Sequence, residues 1–365
     1  MNQKIGFIQA IRGWAAVAVM LGHLLFRFFN GNSTVSQAFP YLPESNTGGM
    51  LTGINDIFLQ MNFDLGPYGV AIFFLISGFV ISISLQRQSV HQFAVKRFFK
   101  IWPAYIAGFS VTFFMIWMYC HFTGTAFPYN GKDWLWQISL LGDWFSKPGI
   151  DGIVWTLQAE LKFYVFMCLI FALKKESSRN AYRIISVVMV IWNFAVIFGQ
   201  DYLILHHLHF YRFAATVASS NINILFMLLG VYFYRYYTKE WSLKETTVML
   251  IEGYLLLILA VVGWRGNLSV YTSSYLIGLL TFLAAYILCQ NKKMKICMFF
   301  GEISYSLYIV HALNGYIIET VLMQKGVPSV LCLLAAISYA VVMACMLHYG
   351  VEKPAVKISG KLFGN

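Results

Sequence analysis

An all-α, polytopic membrane helix bundle of about ten transmembrane helices, with both termini cytoplasmic, is the architecture this sequence predicts. Three observations carry it. Of 365 residues, 59% are apolar and only 11% charged, and mean hydropathy is +0.66; soluble domains run near 45–50% apolar and about 25% charged. Ten apolar runs of about the length needed to cross a bilayer follow one another along the chain. Lysine and arginine also alternate between dense and sparse connections. No run alternates at period 2, which excludes an outer-membrane barrel, and helices are the remaining way to satisfy every backbone group in lipid.

The runs lie near 7–29, 68–87, 98–120, 153–173, 182–199, 213–234, 247–264, 270–290, 297–322 and 329–350. With Lys4 placed inside, the inner connections carry Arg87, Lys96, Arg97 and Lys100; Lys174, Lys175, Arg179 and Arg183; Arg235, Lys239 and Lys244; Lys292, Lys293 and Lys295; and the tail Lys353, Lys357 and Lys361. The outer side receives Arg27, Lys132, Lys147, Arg212, Arg265 and Lys325, so 18 cations stand inside against 6 outside. The net charge of +11 is therefore a topology signal and calls for no nucleic acid. The same composition excludes a disordered chain and a disulfide scaffold. The first run is too long for a signal peptide, lacks a small-x-small exit and carries Arg12 and His23.

Residues 1–358 read as one membrane domain and 359–365 as a short cytoplasmic tail. Cysteines 120, 168, 289, 297, 332 and 345 lie in or beside the runs without a CxxC pair, and read as small core residues. Two outer connections are long, about 30–67 and 121–152; they hold Glu44, Asp56, Asp64, Asp133, Asp143 and Asp151. Long loops in compact proteins are often functional or locally ordered. HHLH at 206–209 offers two histidines at i, i+3 without a defined third ligand, so no metal site is expected.

Ionisable groups inside the runs are the candidate functional residues, because a charge in lipid is costly and tends to face the bundle interior. Arg12 and His23 are eleven residues apart, about 20° past three full turns and ~16 Å along the axis. Each alone fits a bland role, a snorkelling anchor for Arg12 and a packed histidine for His23. Sharing one face suggests a polar track through the bundle. Glu160, in VWTLQAELKFYVF, falls at a depth similar to His23, and a His–carboxylate pair orients an imidazole for general-base work; a structural ion pair is its other reading. Lys162 points to the other side of that helix. His311 ends GEISYSLYIVH at mid-depth and fits either the same cavity or a hydrogen-bonded core. Glu252 and Glu319 lie near run ends, where water is expected to reach them. Arg97 and Lys100, with Lys96 and Arg87, form a basic cluster that suits phosphates or anionic lipid. Ser77-Gly78 in FFLISGF reads as a small-residue packing element. Trp134, Trp136, Trp144 and Trp155 suit sugar stacking or an interfacial belt.

These motifs, taken in order, resemble those of the acyltransferase type 3 family of integral membrane acyltransferases, which includes bacterial O-antigen and exopolysaccharide O-acetylases. IQAIRGWAAVAVMLGH carries the family's Arg-x10-His as Arg12 and His23. FFLISGF at 73–79 looks like its second-span motif, RFFKIWPAY at 97–105 its basic RxxR element, WTLQAELKFY at 155–164 its W-S/T-L-x-x-E motif, ISYSLYIVH at 303–311 its S-Y-x-x-Y-L-x-H motif, and VEKP at 351–354 its closing E-K-P. Two positions depart. Lys100 replaces the second arginine of RxxR, keeping charge without the bidentate fork, and Lys162 stands where a neutral polar residue is common.

The resemblance implies transfer of an acyl group, most often acetyl from acetyl-CoA, to a hydroxyl of a lipid-linked or surface polysaccharide at the bacterial cytoplasmic (inner) membrane. It implies acyl-CoA, the glycan and membrane lipids as partners, and no bound cofactor. The roles that follow are His23 as general base, Glu160 as its orienting partner and Arg12 along the donor arm. Arg97 and Lys100 take the CoA phosphates, and His311, Ser77 and Tyr305 line the cavity. An acyl-histidine on His23 is the covalent variant. The rival class is a glycan or small-molecule transporter or flippase that uses the same Arg, His and Glu as a proton relay.

Overall fold

Each of the ten apolar runs folds as a helix or as a broken pair of helices. The computed structural model describes residues 6–29, 34–43, 50–265, 270–288 and 294–363, and among these every regular element is helical. Lys4, Glu44, Cys289, Lys292 and Lys293 lie outside the described residues. The spans are Gly6–Arg27, Leu65–Arg87, Val90–Thr123, Val154–Ala172, Arg179–Phe198, Leu208–Tyr237, Leu243–Arg265, Tyr271–Leu288, the pair Lys295–Val310 and Ala312–Gln324, and Ser329–Lys361. They are named first to tenth below. Their outward faces keep large apolar side chains exposed, among them Phe114, Leu169, Val188, Phe198 and Leu255. A helix that is apolar on its solvent-free and its outward faces alike suits lipid.

The first, second, sixth and ninth spans form the centre, and two glycine contacts set how closely they approach. A Cβ on Gly13 would collide with the Cys297 carbonyl, and one on Gly301 with the Gln9 carbonyl, so the first and ninth spans meet backbone to backbone. Gly78 and Gly230 do the same for the second and sixth spans, against the Met227 and Leu75 carbonyls. Small residues allow this approach where no hydrophobic effect drives helices together.

Three spans are irregular. The first changes from α to π geometry over Gly22–Arg27. The ninth bends by 68° between Val310 and Ala312, at His311. The tenth passes through a π segment, His348–Glu352. Such interruptions recur at functional sites, and here each holds a histidine.

Side-chain bonds gather the connections at two ends. At one, Gln86 Nε2 and Ser177 Oγ both donate to Glu240, at 3.2 and 2.6 Å, and Lys96 lies over the Phe363 ring. The first two bonds join the ends of the second, fourth and sixth spans, and the last joins the third span to the tail. At the other end, the Asp64 amide donates to Ser274 Oγ at 3.0 Å, and Thr216 Oγ1 donates to the Asp143 carbonyl at 3.3 Å.

The long connection at 121–152 is anchored through a buried network. Tyr105 Oη donates to Asp151 Oδ2 at 3.0 Å, Gln137 Nε2 donates to Tyr105 Oη at 2.8 Å, and the Ile150 amide donates to Gln137 Oε1 at 2.9 Å. Asp151 Oδ1 also accepts from the amides of Ile153 and Val154, which start the fourth span. Burial pushes the Asp151 carboxyl above its ordinary range, against the pull of these donors. The described part of the other long connection, 34–43, buries Val35, Phe39, Tyr41 and Leu42 in the core.

Candidate active site

Two cavities contain the candidate residues. The first is basic. Arg12 of the first span, Ser77 of the second, Arg97 and Lys100 of the third, Glu160 of the fourth and Tyr305 of the ninth all line it. Arg12, Arg97 and Lys100 are within electrostatic reach of one another, and of Glu160 and Glu352. Three cations and Glu160 therefore line one space, with Glu352 in reach outside its wall, an excess of one positive charge over both carboxylates when all are ionised.

Arg97, Ser77, Glu160, Tyr305 and Glu352 are held by specific contacts. Arg97 lies between the rings of Phe93 and Tyr164, 5.2 and 5.0 Å from their centroids. It also donates to Tyr164 Oη and Ser84 Oγ, both at 3.4 Å. Ser77 Oγ donates to Glu160 Oε1 at 2.6 Å. Tyr305 Oη donates to the Ile101 carbonyl at 2.8 Å, two residues before Pro103 within the third span. Glu352 accepts from Ser306 Oγ at 2.7 Å and pairs with His348 Nδ1 at 2.9 Å.

The second cavity holds His23, with Arg27, Asp64, Trp155, Tyr271 and Tyr308 in its wall. The His23 and His311 rings meet edge to face with centroids 5.0 Å apart. His23 Nδ1 shares a 2.6 Å hydrogen bond with Tyr316 Oη. His311 Nδ1 is 2.9 Å from the Tyr308 carbonyl oxygen and 3.2 Å from that of Leu307. A carbonyl only accepts, so Nδ1 carries the proton and neutral His311 presents Nε2 as an acceptor; among the described residues this buried nitrogen has no partner. Phe39 and Phe28 pack on Tyr316, with centroids 6.1 and 6.0 Å away, so segment 34–43 packs on the tyrosine that bonds His23. Asp64, which caps the second span by accepting from the Gly66 amide at 2.7 Å, has its carboxyl pushed up by burial against that bond.

Several expectations change. The expected Glu160–His23 pair does not form: among the described residues the two share no hydrogen bond, Glu160 sits in the basic cavity, and Tyr316 takes the place beside His23. Depth along a helix was readable in the sequence, but which cavity the side chain enters was not. Glu319 is fully buried, not wetted, and neither carboxyl oxygen has a partner among the described residues. Glu252 is half-exposed, as expected, and forms a two-pronged ion pair with Arg183, at 2.6 and 3.0 Å. Lys162, unexplained by sequence, pairs with Asp143, donates to Ser220 Oγ at 3.0 Å and lies over the Trp144 ring. Of the four outer tryptophans, only Trp155 lines the histidine cavity. Among the described residues no group of three or more His, Cys, Asp or Glu is arranged to hold a metal.

Glu352, Tyr164, Tyr308 and Tyr316 were not singled out as site residues. The first three lie inside the quoted motifs VEKP, WTLQAELKFY and ISYSLYIVH, and that position was the available signal. Tyr316 had none, because it follows a bend at which no proline or other breaker stands.

Three half-buried cations at one cavity and a histidine pair at the next thus lie within one bundle of membrane-spanning helices. The family model described as "Acyltransferase domain" matches residues 5–349, and the chain belongs to this family of membrane acyltransferases. It is similar to "Acyltransferase MdmB" of Streptomyces mycarofaciens, 25% identical over 170 residues, covering 44% of this chain and 38% of that protein. It is also similar to "Putative acetyltransferase ORF330" of Acidianus two-tailed virus, 24% identical over 272 residues, or 72% of this chain and 77% of that protein. "Nodulation protein 10" of Rhizobium leguminosarum bv. viciae is 27% identical over 136 residues, 33% of this chain and 37% of that protein. The match thus spans well under half of the first and third relatives. No solved structure matches the chain significantly.

Proposed function

We propose that this chain moves an acyl group, acetyl from acetyl-CoA, to a hydroxyl of a lipid-linked or cell-surface glycan in the bacterial cytoplasmic membrane. The observation that carries the reading is the convergence of Arg12, Arg97 and Lys100 in one cavity that adjoins the cavity of His23. Three cations against two carboxylates suit a ligand with several phosphates. The adjoining histidine pair suits deprotonation of a hydroxyl. On the positive-inside count, the basic cavity opens toward the cytoplasm, where acyl-CoA is made, and the histidine cavity toward the outside, where the glycan is.

In this scheme Arg97 and Lys100 hold the CoA phosphates and Arg12 extends the positive path toward the thioester. Glu160 and Glu352 balance the cations before the donor arrives. His23 is the base. It accepts the proton of the acceptor hydroxyl as the oxygen attacks the thioester carbonyl carbon. The C–O bond forms, the C–S bond breaks with its electron pair on sulfur, and the proton passes from His23 to the thiolate. Tyr316 fixes the His23 ring, and His311 stands beside it with a second acceptor nitrogen. Related proteins named acyltransferase and acetyltransferase agree with the acyl chemistry.

The test of the donor side is a titration with acyl-labelled acetyl-CoA, in membranes carrying the full chain. The Arg97→Ala, Lys100→Ala double variant should raise KM for acetyl-CoA at least tenfold, since a charge-assisted hydrogen bond contributes about 1.5–3 kcal/mol. An unchanged KM would remove the phosphate role.

A further inference from the structure

Among the described residues, two side chains line both cavities: Val70 of the second span and Tyr308 of the ninth. Both are nearly buried, 5% and 9% exposed. Tyr308 is held at several points. Its Oη shares a 2.6 Å hydrogen bond with Thr156 Oγ1 and reaches the Ile153 carbonyl at 3.4 Å. Its own carbonyl receives the His311 Nδ1 proton at 2.9 Å. Its ring meets Phe73 edge-on, with centroids 6.1 Å apart. One wall of the junction is thus a β-branched side chain on a helix, and the other is an aromatic ring latched to the fourth span.

We propose that Val70 and Tyr308 form the aperture through which the acyl group reaches the histidine cavity, and that its fixed width selects short acyl chains. The proposal rests on the acyl transfer described above and adds its specificity. A group moving from the cations to His23 has to pass the residues that the two cavities share. A wall latched by the Tyr308–Thr156 bond cannot widen without breaking it, and forcing extra methylenes past well-packed side chains is unfavourable. One methylene in such a slot discriminates by about 10- to 200-fold. The latch also joins passage to chemistry, because the residue that narrows the path supplies the carbonyl that sets the His311 tautomer.

The experiment uses membranes carrying the full chain and acyl-CoAs of two, three, four and six carbons, each labelled in the acyl group. It counts base-labile label in the envelope glycan fraction. The reading is the ratio of butyryl to acetyl transfer within one preparation, which does not depend on how much of a variant folds. Wild type should favour acetyl steeply. Val70→Ala, which widens one wall, and Thr156→Val, which unlatches the other at nearly constant volume, should each raise the ratio about tenfold or more. Val190→Ala, a cut of the same size at a buried residue of the fifth span that lines neither cavity, should keep the wild-type ratio. The aperture is overturned if Val70→Ala and Thr156→Val keep the wild-type ratio, if Val190→Ala raises it equally, or if wild type transfers all lengths alike. If wild type transfers label from none of the donors, the acyl-transfer reading itself fails and the aperture falls with it.

Discussion

His23 and His311 stand side by side, yet their hydrogen bonds give them different work. His311 is tied to backbone carbonyls that fix its tautomer, whereas His23 depends on one phenol, Tyr316. Removing that hydroxyl should loosen the ring of the proposed base without removing it. Tyr316→Phe is expected to lower kcat about tenfold, with KM for acetyl-CoA unchanged; equal loss in both would assign Tyr316 to packing. On the donor side, Lys100→Arg restores the two-arginine spacing and should keep KM within about threefold, while Lys100→Ala should not, because charge is what the chamber supplies. At this scale the sequence was informative about identity and poor about pairing. Arg12, His23, Glu160 and His311 announce themselves as ionisable groups in apolar runs. Their partners do not, since Glu160 and His23 share a depth and still enter different cavities.

The elements that place these side chains are held by backbone proximity and by one buried polar network. Gly13 with Gly301 and Gly78 with Gly230 leave no space for a Cβ. Gly301→Val or Gly78→Val should therefore reduce the folded fraction sharply, whereas Gly53→Ala, with nothing near its Cβ position, should not; retention on a size-exclusion column in detergent checks this. The connection at 121–152 depends on Asp151. Its carboxyl is raised by burial, so it contributes most stability when protonated, and that contribution is lost as pH rises through its folded value. The stability advantage of wild type over Asp151→Asn should accordingly shrink as pH rises, read as the difference in Tm at a series of pH values; an advantage that grows with pH would contradict it. Apolar length made the ten elements legible in the sequence. The breaks were less so: the π segment His348–Glu352 stands just before Pro354, which has no N–H for the Gly350 carbonyl, but the π turn after Leu21 and the 68° bend at His311 have no proline to mark them. They arise from tertiary packing that a single run does not encode.

Over the whole molecule, charge and apolar length predict how the chain sits, and the two cavities support the proposed transfer. The alternation of cations predicts both termini on the cytoplasmic side; reporter fusions at each end, with labelling of a cysteine placed at Asp133, test it, and an accessible Asp133 position from the cytoplasm would invert the orientation. The fold class was legible because composition alone demands a bilayer, and the acyltransferase family was legible from six ordered motifs. The division into two chambers was not, because it needs the first, second, fourth and ninth spans brought together. The proposed acyl transfer to a glycan hydroxyl depends on His23. The direct measurement feeds acetyl-labelled acetyl-CoA to membranes carrying wild type or His23→Ala and counts base-labile label in the envelope glycan fraction. The account predicts label with wild type and a fall of about 10²- to 10⁴-fold with His23→Ala, the range of general-base catalysis. Equal label in both would remove His23 as the base, and label in neither would contradict the transfer itself.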